Sequence, residues 1–149
     1  MQLTLKGDYA VRVVVDLASR PAEASVRTAD LGRRTGVPRA YLSKIIQDLA
    51  QEGLVRTRRG TAGGVCLLER PEALTLRRVI EAVEGPIRLN RCLVRPGLCP
   101  RDGFCPVHPV WVRIQAVLMR ELEAVRIADL AATQPGPPAP TPGEVISPW

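Results

Sequence analysis

The segment between Gly36 and Gly53 constrains the fold of this 149-residue chain more than any other segment. Gly36 can adopt the positive φ that ends a helix, and Pro38 suits the first turn of the helix that follows. Four apolar residues then recur at positions i, i+3, i+4 and i+7 of one helix face, namely Leu42, Ile45, Ile46 and Leu49. This spacing predicts a helix over residues 38–51 that packs through its apolar face and exposes a polar face.

The elements on either side of this helix follow a recognisable order. Apolar spacing predicts a helix over 8–19 and a short second helix over 28–35, with Thr28 as its N-cap. Residues 54–58 alternate apolar and polar side chains, and a returning strand over 65–68 follows a glycine-rich turn. Helix, tight turn, helix and hairpin is the order of a winged helix-turn-helix, so the predicted fold class is mainly α with a small β-hairpin.

The C-terminal half predicts a helix, an irregular loop and a long helix. Apolar spacing over 76–83 indicates the first helix, and residues 88–109 then lack periodicity. Apolar residues from Val110 to Val125 fit one long helix, whose broad stripe suits pairing with a second copy, packing on its own winged domain, or both. The predicted parts are a winged helix-turn-helix (1–70), a helix with the loop and a long C-terminal dimerisation helix (71–132), and a disordered proline-rich tail (133–149).

Positive charge is concentrated in the N-terminal part of the chain. Residues 1–65 carry 11 lysines and arginines against 6 acidic residues, whereas residues 66–149 carry 10 against 9. A basic winged helix fits a polyanion, and the polar face of one helix can reach base edges in the major groove of double-stranded DNA. For each residue alone, the alternative is a solvated surface charge. The candidate DNA contacts are Thr28, Arg39, Tyr41, Ser43, Lys44, Arg58 and Arg59.

Three of the four cysteines lie in the irregular loop beside the single histidine. Six residues separate Cys92 from Cys99, five separate Cys99 from Cys105, and two separate Cys105 from His108. Three thiolates and an imidazole can close around a metal, although this is neither zinc-finger nor standard ferredoxin spacing, and His108 can equally be a polar residue at a helix start. Cys66 alternates with apolar neighbours on a predicted strand, so we interpret it as a packed residue.

The cellular compartment bears on how these cysteines are interpreted. The N-terminus lacks a secretory signal pattern, and no apolar run approaches the roughly 20 residues that a membrane span needs. We therefore expect a cytoplasmic protein without membrane contact. In that compartment cysteines are metal ligands or redox groups more often than structural disulfides.

Short motifs spread along the chain can be compared with known regulators. They are Leu3-Thr4, Lys6-Gly7-Asp8-Tyr9-Ala10-Val11, the helix from Tyr41, Gly53-Leu54-Val55, Arg59-Gly60 with Gly63-Gly64, and the three-cysteine loop. Together they resemble the IscR/NsrR-type (Rrf-two) family of bacterial winged-helix transcriptional regulators, from the first residue to about residue 130. The resemblance implies a homodimer paired through the long helix, which binds a roughly palindromic operator.

The resemblance also implies an iron–sulfur cluster whose state sets DNA affinity and reports on cluster supply, iron, nitric oxide or redox stress. Cys92, Cys99 and Cys105 match its ligands. His108 matches the histidine that completes a 2Fe–2S site in IscR-like members, and Asp8 matches the acidic residue that completes a 4Fe–4S site from the other subunit in some NsrR-like members. We favour a 2Fe–2S cluster, because an aspartate at a helix start is also explained by the helix dipole.

Roles on the DNA-binding side follow from the same resemblance. Arg59 matches the wing arginine that enters the minor groove, and Tyr41, Ser43 and Lys44 match base-reading positions. Ser43 stands where IscR-like members that discriminate operators by cluster state carry an acidic residue. The first cysteine gap is also one residue longer than usual. Target genes are therefore not assigned from that subgroup.

Other classes of protein remain as alternatives for the loop. A closed zinc site of three cysteines and His108 would make the loop structural, and a clusterless thiol sensor would oxidise two cysteines to a disulfide. An enzyme acting on a small-molecule substrate is not predicted, because the chain has no Cys-x-x-Cys pair and no candidate general base beyond His108.

Overall fold

The computed structural model describes residues 4–60 and 63–134. Within these ranges the helices are α1 (Leu5–Ala18), α2 (Thr28–Thr35), α3 (Arg39–Gln51), α4 (Leu76–Glu84), α5 (His108–Ala124) and α6 (Ile127–Thr133). The antiparallel strands β1 (Val55–Arg58) and β2 (Gly64–Leu67) form a hairpin, and one 3-10 turn spans Arg91–Leu93. The predicted mainly α fold with a small hairpin is confirmed. Residues 135–149, most of the predicted tail, lie outside the described residues.

A single apolar core joins the winged helix-turn-helix to α4 and α6. The predicted stripe of α3 is buried, and Leu42, Ile45 and Leu49 are at most 2% exposed. Gly36 takes a left-handed conformation at φ 68°, so α2 ends there and the chain turns tightly into α3. Helix α1 and α2 contribute the facing core residues, which are Ala10, Val13, Val14, Leu17 and Leu31. None of the helices in the described ranges is long and apolar enough to cross a bilayer.

The buried carboxylate of Asp16 ties α1 to the helix-turn-helix. Its Oδ1 accepts a hydrogen bond from Arg34 Nε at 2.9 Å, and its Oδ2 lies 3.4 Å from Arg20 Nη2. Two guanidinium groups thus offset the cost of burying this charge. The contact fixes the angle between the first helix and α2.

The hairpin is anchored to the core by a third backbone segment. Val26 and Val65 exchange two backbone hydrogen bonds of 2.9 and 2.8 Å. Gly64 makes this approach possible, because a Cβ on it would overlap the Val26 carbonyl oxygen and lie 2.7 Å from the Val26 carbonyl carbon. The wing therefore has a fixed position relative to the start of α2.

Several boundaries differ from the sequence-based expectation, and α1 begins at Leu5 rather than at residue 8. The N-cap of α2 is Arg27, with no side-chain cap, so the predicted cap role of Thr28 is wrong. Arg27 is extended because Val26 before it is hydrogen-bonded to the hairpin, and Thr28 is already the first helical residue. The predicted long helix is confirmed as α5, which ends at Ala124, but a separate short helix, α6, follows it, since Val125 is extended between the two.

The interruption at Val125 has a tertiary cause. The Val125 carbonyl accepts a hydrogen bond from Leu76 N at 2.9 Å, and Ile127 N donates to the Leu74 carbonyl at 2.9 Å. Ile127 is fully buried in the core. With these contacts made, the chain leaves the helical path at Val125, and α6 packs against α1. The end of α5 is therefore attached to the winged domain.

Candidate DNA-binding surface and metal centre

The polar face of α3 is exposed, as its sequence predicts. Arg39, Tyr41, Ser43 and Lys44 are all exposed on the side opposite the buried stripe. The Ser43 hydroxyl donates to the Arg39 carbonyl at 3.3 Å, and Lys44 Nζ lies 2.9 Å from Asp48 Oδ1. These side chains form one surface that a major groove can accept.

An aromatic contact joins this surface to α1. The rings of Tyr9 and Tyr41 meet edge to face at 5.5 Å, and the Arg12 guanidinium lies 5.5 Å from the centre of the Tyr9 ring. Arg12 also forms a 2.7 Å ion pair with Asp8. Asp8, the alternative cluster ligand, is thus paired within α1 in this chain.

The wing presents exposed arginines at its tip. Arg58 and Arg59 are exposed at the end of β1, and Thr28 is exposed at the start of α2. We use the term reading surface for these three residues together with the exposed face of α3, that is, for the seven predicted DNA contacts. Backbone amides at the start of α2 can donate to a phosphate.

A network around Lys6 connects α3 to the end of α4. Lys6 Nζ lies 2.6 Å from Asp48 Oδ2 and donates to the Val83 carbonyl at 2.6 Å. Burial alone would raise the pKa of Asp48, but hydrogen bonds from Lys6 and Lys44 outweigh it and hold that pKa below the usual carboxyl value. Asp48 therefore remains ionised and links α1, α3 and α4.

The cysteine loop is attached at both ends to helices. It leaves α4 at Gly85 and reaches α5 at His108. Gln115 on α5 donates to the Ile87 carbonyl at 2.8 Å and accepts from Leu89 N at 2.9 Å. The first segment of the loop is therefore fixed against α5. This arrangement determines where Cys92 lies relative to His108.

The structure brings Cys92 and His108 together with a third residue, Asp102. Their donor atoms lie within 4.8 Å of one another. Asp102 Oδ1 is 3.4 Å from His108 Nδ1. Both of these atoms are buried and lack a hydrogen-bond partner among the described residues.

Cys99 and Cys105 lie outside this close group but within the same loop. Asp102 N donates to the Cys99 carbonyl at 3.1 Å, and Cys105 N donates to the Arg101 carbonyl at 2.8 Å, so consecutive turns hold both residues. Partial burial raises the pKa of Cys92, and so do the charges of Asp102, Cys99 and Cys105. The metal-free loop therefore favours the neutral thiol of Cys92.

Cys66 behaves as the sequence predicts. It is fully buried on β2, and its thiol contacts the Arg56 carbonyl at 3.7 Å. It lies in the core of the wing rather than in the loop.

Asp102 is the residue that the sequence analysis missed. A signal was present, because Asp102 is the one acidic residue between Glu84 and Glu121. An isolated carboxylate between two cysteines could have been read as a donor.

The donor chemistry of the loop fits a metal centre. Three thiols and an imidazole within residues 92–108 suit thiolate-rich iron chemistry. The two buried, unpartnered atoms on Asp102 and His108 are what a site built for a cation presents. Cys92, Cys99, Cys105 and His108 are residue types that ligate iron–sulfur clusters, and the structure brings Cys92 and His108 of this set together.

A helix with an exposed polar face, flanked by an arginine-bearing wing, defines the chain as a winged-helix protein of the DNA-binding type. The family model described as "Rrf2: Iron-dependent Transcriptional regulator" matches residues 3–133. The chain belongs to the Rrf2 family of transcriptional regulators, which confirms the resemblance drawn from the sequence.

Similar proteins agree with this assignment. The chain is 33% identical over 132 residues to the putative HTH-type transcriptional regulator ORF2 of Azotobacter vinelandii, covering 89% of this chain and 80% of the relative. It is 31% identical over 134 residues to the HTH-type transcriptional regulator IscR of Yersinia pseudotuberculosis, covering 90% of this chain and 81% of the relative.

Solved structures of regulators share the fold. CymR (YrzC), described as the global cysteine regulator of B. subtilis, superposes with a TM-score of 0.73 at 25% identity and covers 91% of this chain and 99% of its own. IscR of T. potens superposes with a TM-score of 0.71 at 25% identity and covers 89% of this chain and 87% of its own.

Proposed function

We propose that the protein is a homodimeric regulator whose affinity for operator DNA is set by an iron–sulfur cluster in the cysteine loop. Cys92, Cys99 and Cys105 would hold the cluster, with His108 as the fourth ligand and a 2Fe–2S cluster favoured over 4Fe–4S. Asp8 is the alternative fourth ligand. The cluster would supply a redox- and iron-sensitive group, and the residues of the chain would transmit its presence to the reading surface.

The observation that carries this proposal is the short connection from the loop to α3. The loop begins at Gly85, two residues after Val83, whose carbonyl accepts from Lys6. Lys6 in turn pairs with Asp48 on α3, one helical turn from Lys44. A change at the start of the loop thus has a route of three polar contacts to a predicted base-reading side chain.

A second contact between α4 and α3 restricts how α3 can move. Arg78 donates to Glu52 Oε2 and to the Glu52 carbonyl, each at 2.9 Å, at the C-terminal end of α3. With that end held, a shift of the last turn of α4 would tilt α3 rather than translate it. Helix α4 would therefore be the element whose position depends on both the cysteine loop and the reading surface.

The surface of α5 supports the homodimer. This 17-residue helix has no buried residue in one chain. Val110, Ile114 and Val117 recur at i, i+4 and i+7 and are 38%, 43% and 43% exposed. A second copy of the same helix would cover this stripe through a two-fold axis and set two reading surfaces on successive major grooves.

On the reading surface, Tyr41, Ser43 and Lys44 would contact base edges, and Arg39 and Thr28 would contact phosphates. Arg59 would enter the minor groove, with Arg58 beside it.

We expect Arg59→Ala to weaken operator binding by roughly 1–3 kcal/mol at fixed salt, because a cation is lost where the potential is most negative. Fluorescence anisotropy on a selected duplex measures this, with exposed Arg120→Ala on α5 as a control. Unchanged affinity of the Arg59 variant would argue against a groove-reading wing.

Anaerobic purification tests the metal centre. We expect coloured protein with iron and sulfide in equal amounts, and a Mössbauer spectrum that assigns the cluster type. Cys99→Ala should remove the colour and leave a folded dimer, while Cys66→Ala should retain the cluster. Colourless protein with stoichiometric zinc would contradict the proposal and favour a closed zinc site. Oxidant-dependent loss of DNA binding in metal-free protein would instead favour a thiol sensor.

The polar route through Lys6 predicts a stability effect as well. Lys6→Met leaves the mostly buried Asp48 carboxylate with Lys44 alone, so we expect a loss of about 1–3 kcal/mol in the free energy of unfolding. Urea unfolding measures it, and Arg33→Met, which removes an exposed ion pair, should cost less than about 0.5 kcal/mol. Equal stability of the two variants would count against a structural network at Lys6.

A further inference from the structure

The carboxylate of Asp102 occupies an unusual position in the cysteine loop. Its Oδ2 accepts from Gly97 N at 3.0 Å, which fixes the side chain. Its Oδ1 points at His108 Nδ1 from 3.4 Å, and the two atoms are buried without hydrogen-bond partners in the described part of the chain. Buried polar atoms are normally satisfied, so this pair needs an explanation.

The distance between these two atoms is that of neighbouring ligands on one ion. A tetrahedral transition-metal ion holds nitrogen and carboxylate oxygen at about 2.0–2.2 Å, which places the two donors roughly 3.4 Å apart. Asp102 Oδ1 and His108 Nδ1 already stand at 3.4 Å. The distance between these two donor atoms therefore already suits binding to one ion.

Cys92 supplies a third donor from a different turn. Its Sγ lies within 4.8 Å of the carboxylate oxygen and the ring nitrogen. A thiolate bound at about 2.3 Å would stand roughly 3.6 Å from the other two donors. A side-chain rotation that moves one donor atom by about 1 Å therefore gives all three donors the spacing of ligands on one ion.

The charge and softness of the three donors define the kind of ion. On metal binding Cys92 releases its thiol proton to the solvent, and the resulting thiolate, the carboxylate and a neutral imidazole carry two negative charges, which a divalent ion balances. Among the described residues, Asp102 has no lysine or arginine within ion-pair distance to do so. Mixed sulfur, nitrogen and oxygen donors suit Zn²⁺, Fe²⁺ or Co²⁺ and do not suit Mg²⁺ or Ca²⁺.

We propose that, in the cluster-free protein, Cys92 Sγ, Asp102 Oδ1 and His108 Nδ1 bind a single divalent transition-metal ion, with Asp102 as a direct ligand. This inference rests on the proposed function only in treating the loop as the metal centre. It needs neither Cys99 nor Cys105. Because the single ion and the cluster share Cys92 and His108, they are alternative occupants of one loop.

Titration of cluster-free, reduced protein with Co²⁺ tests the assignment. We expect one ion per chain, with thiolate-to-cobalt charge-transfer absorption, and displacement by Zn²⁺. Asp102→Asn retains an acceptor for Gly97 N but removes the charge, and it should weaken Co²⁺ binding by more than about 100-fold, beyond the 10–100-fold that loss of an outer-shell partner costs. His108→Gln removes the ring-nitrogen ligand on α5 and should likewise weaken Co²⁺ binding.

Cys105→Ser is the matched control, because it should keep wild-type Co²⁺ affinity while failing to assemble a cluster. Loss of Co²⁺ binding in Cys105→Ser would overturn the three-donor assignment. The assignment would also be overturned if Asp102→Asn lost less than 100-fold in Co²⁺ affinity and left the charge-transfer spectrum unchanged. Asp102 would then only orient another ligand. Wild-type protein that binds Co²⁺ through Asp102 but never assembles a cluster would refute the proposed function and leave this inference standing.

Discussion

Ile114→Arg is expected to convert the protein from a dimer into a monomer at micromolar concentration. In the proposed dimer Ile114 lies in the middle of the exposed stripe of α5. Two-fold symmetry places one copy of it from each subunit in the interface. An arginine there would be an unpaired charge in an apolar interface, which costs about 3–5 kcal/mol and raises the dissociation constant roughly 100-fold or more. Sedimentation velocity over a concentration series measures the change.

The control for this prediction lies on the same helix. Val112 is 47% exposed but about 200° around α5 from Ile114, so Val112→Arg should leave the dimer intact. Operator binding should fall with dimerisation in Ile114→Arg and remain normal in Val112→Arg. A dimeric Ile114→Arg protein would mean that α5 does not form the interface.

Gly64→Ala is expected to lower the free energy of unfolding by at least about 3 kcal/mol and to abolish operator binding. A Cβ at this position would lie 2.8 Å from Ser25 Oγ and would overlap the Val26 carbonyl. The Val26 backbone cannot move aside as the end of a flexible side chain can, so the Val26–Val65 bridge must open. The wing would then lose its fixed position, and its arginines would no longer be held for DNA contact. Urea unfolding and anisotropy measure the two effects.

Gly103→Ala is the matched control. Gly103 lies in the cysteine loop, where a Cβ would meet nothing within 4 Å. Its effect on unfolding should stay within about 0.5 kcal/mol. If Gly64→Ala were as mild, the wing would not depend on close contact with Val26.

The winged domain could be predicted because its signals are local. The stripe from Leu42 to Leu49 and the turn at Gly36 each depend on a few neighbouring residues, and the structure confirms both. The break at Val125 could not be predicted in the same way. No glycine or proline marks it, and its cause is the pairing of Val125 with Leu76, which is distant in sequence.

The residue types of the candidate metal centre could be predicted from the sequence, but their arrangement could not. Spacing drew attention to Cys92 and His108, and the structure places them together. Asp102 was missed because its importance depends on a fold of the loop that turns its carboxylate towards His108. The Lys6 network was missed for the same reason, since it joins residues from three helices.

The most direct test of the account is the operator affinity of one anaerobic preparation, measured with the cluster present and again after its removal. The duplex should be selected from random sequence by the protein itself, and salt must be fixed because phosphate contacts dominate affinity. Cluster control of DNA binding predicts a 5–150-fold difference in operator affinity between the two states, the range typical of coupled sites. Cys99→Ala should show no difference. Equal affinity of the two wild-type states would contradict cluster control of DNA binding.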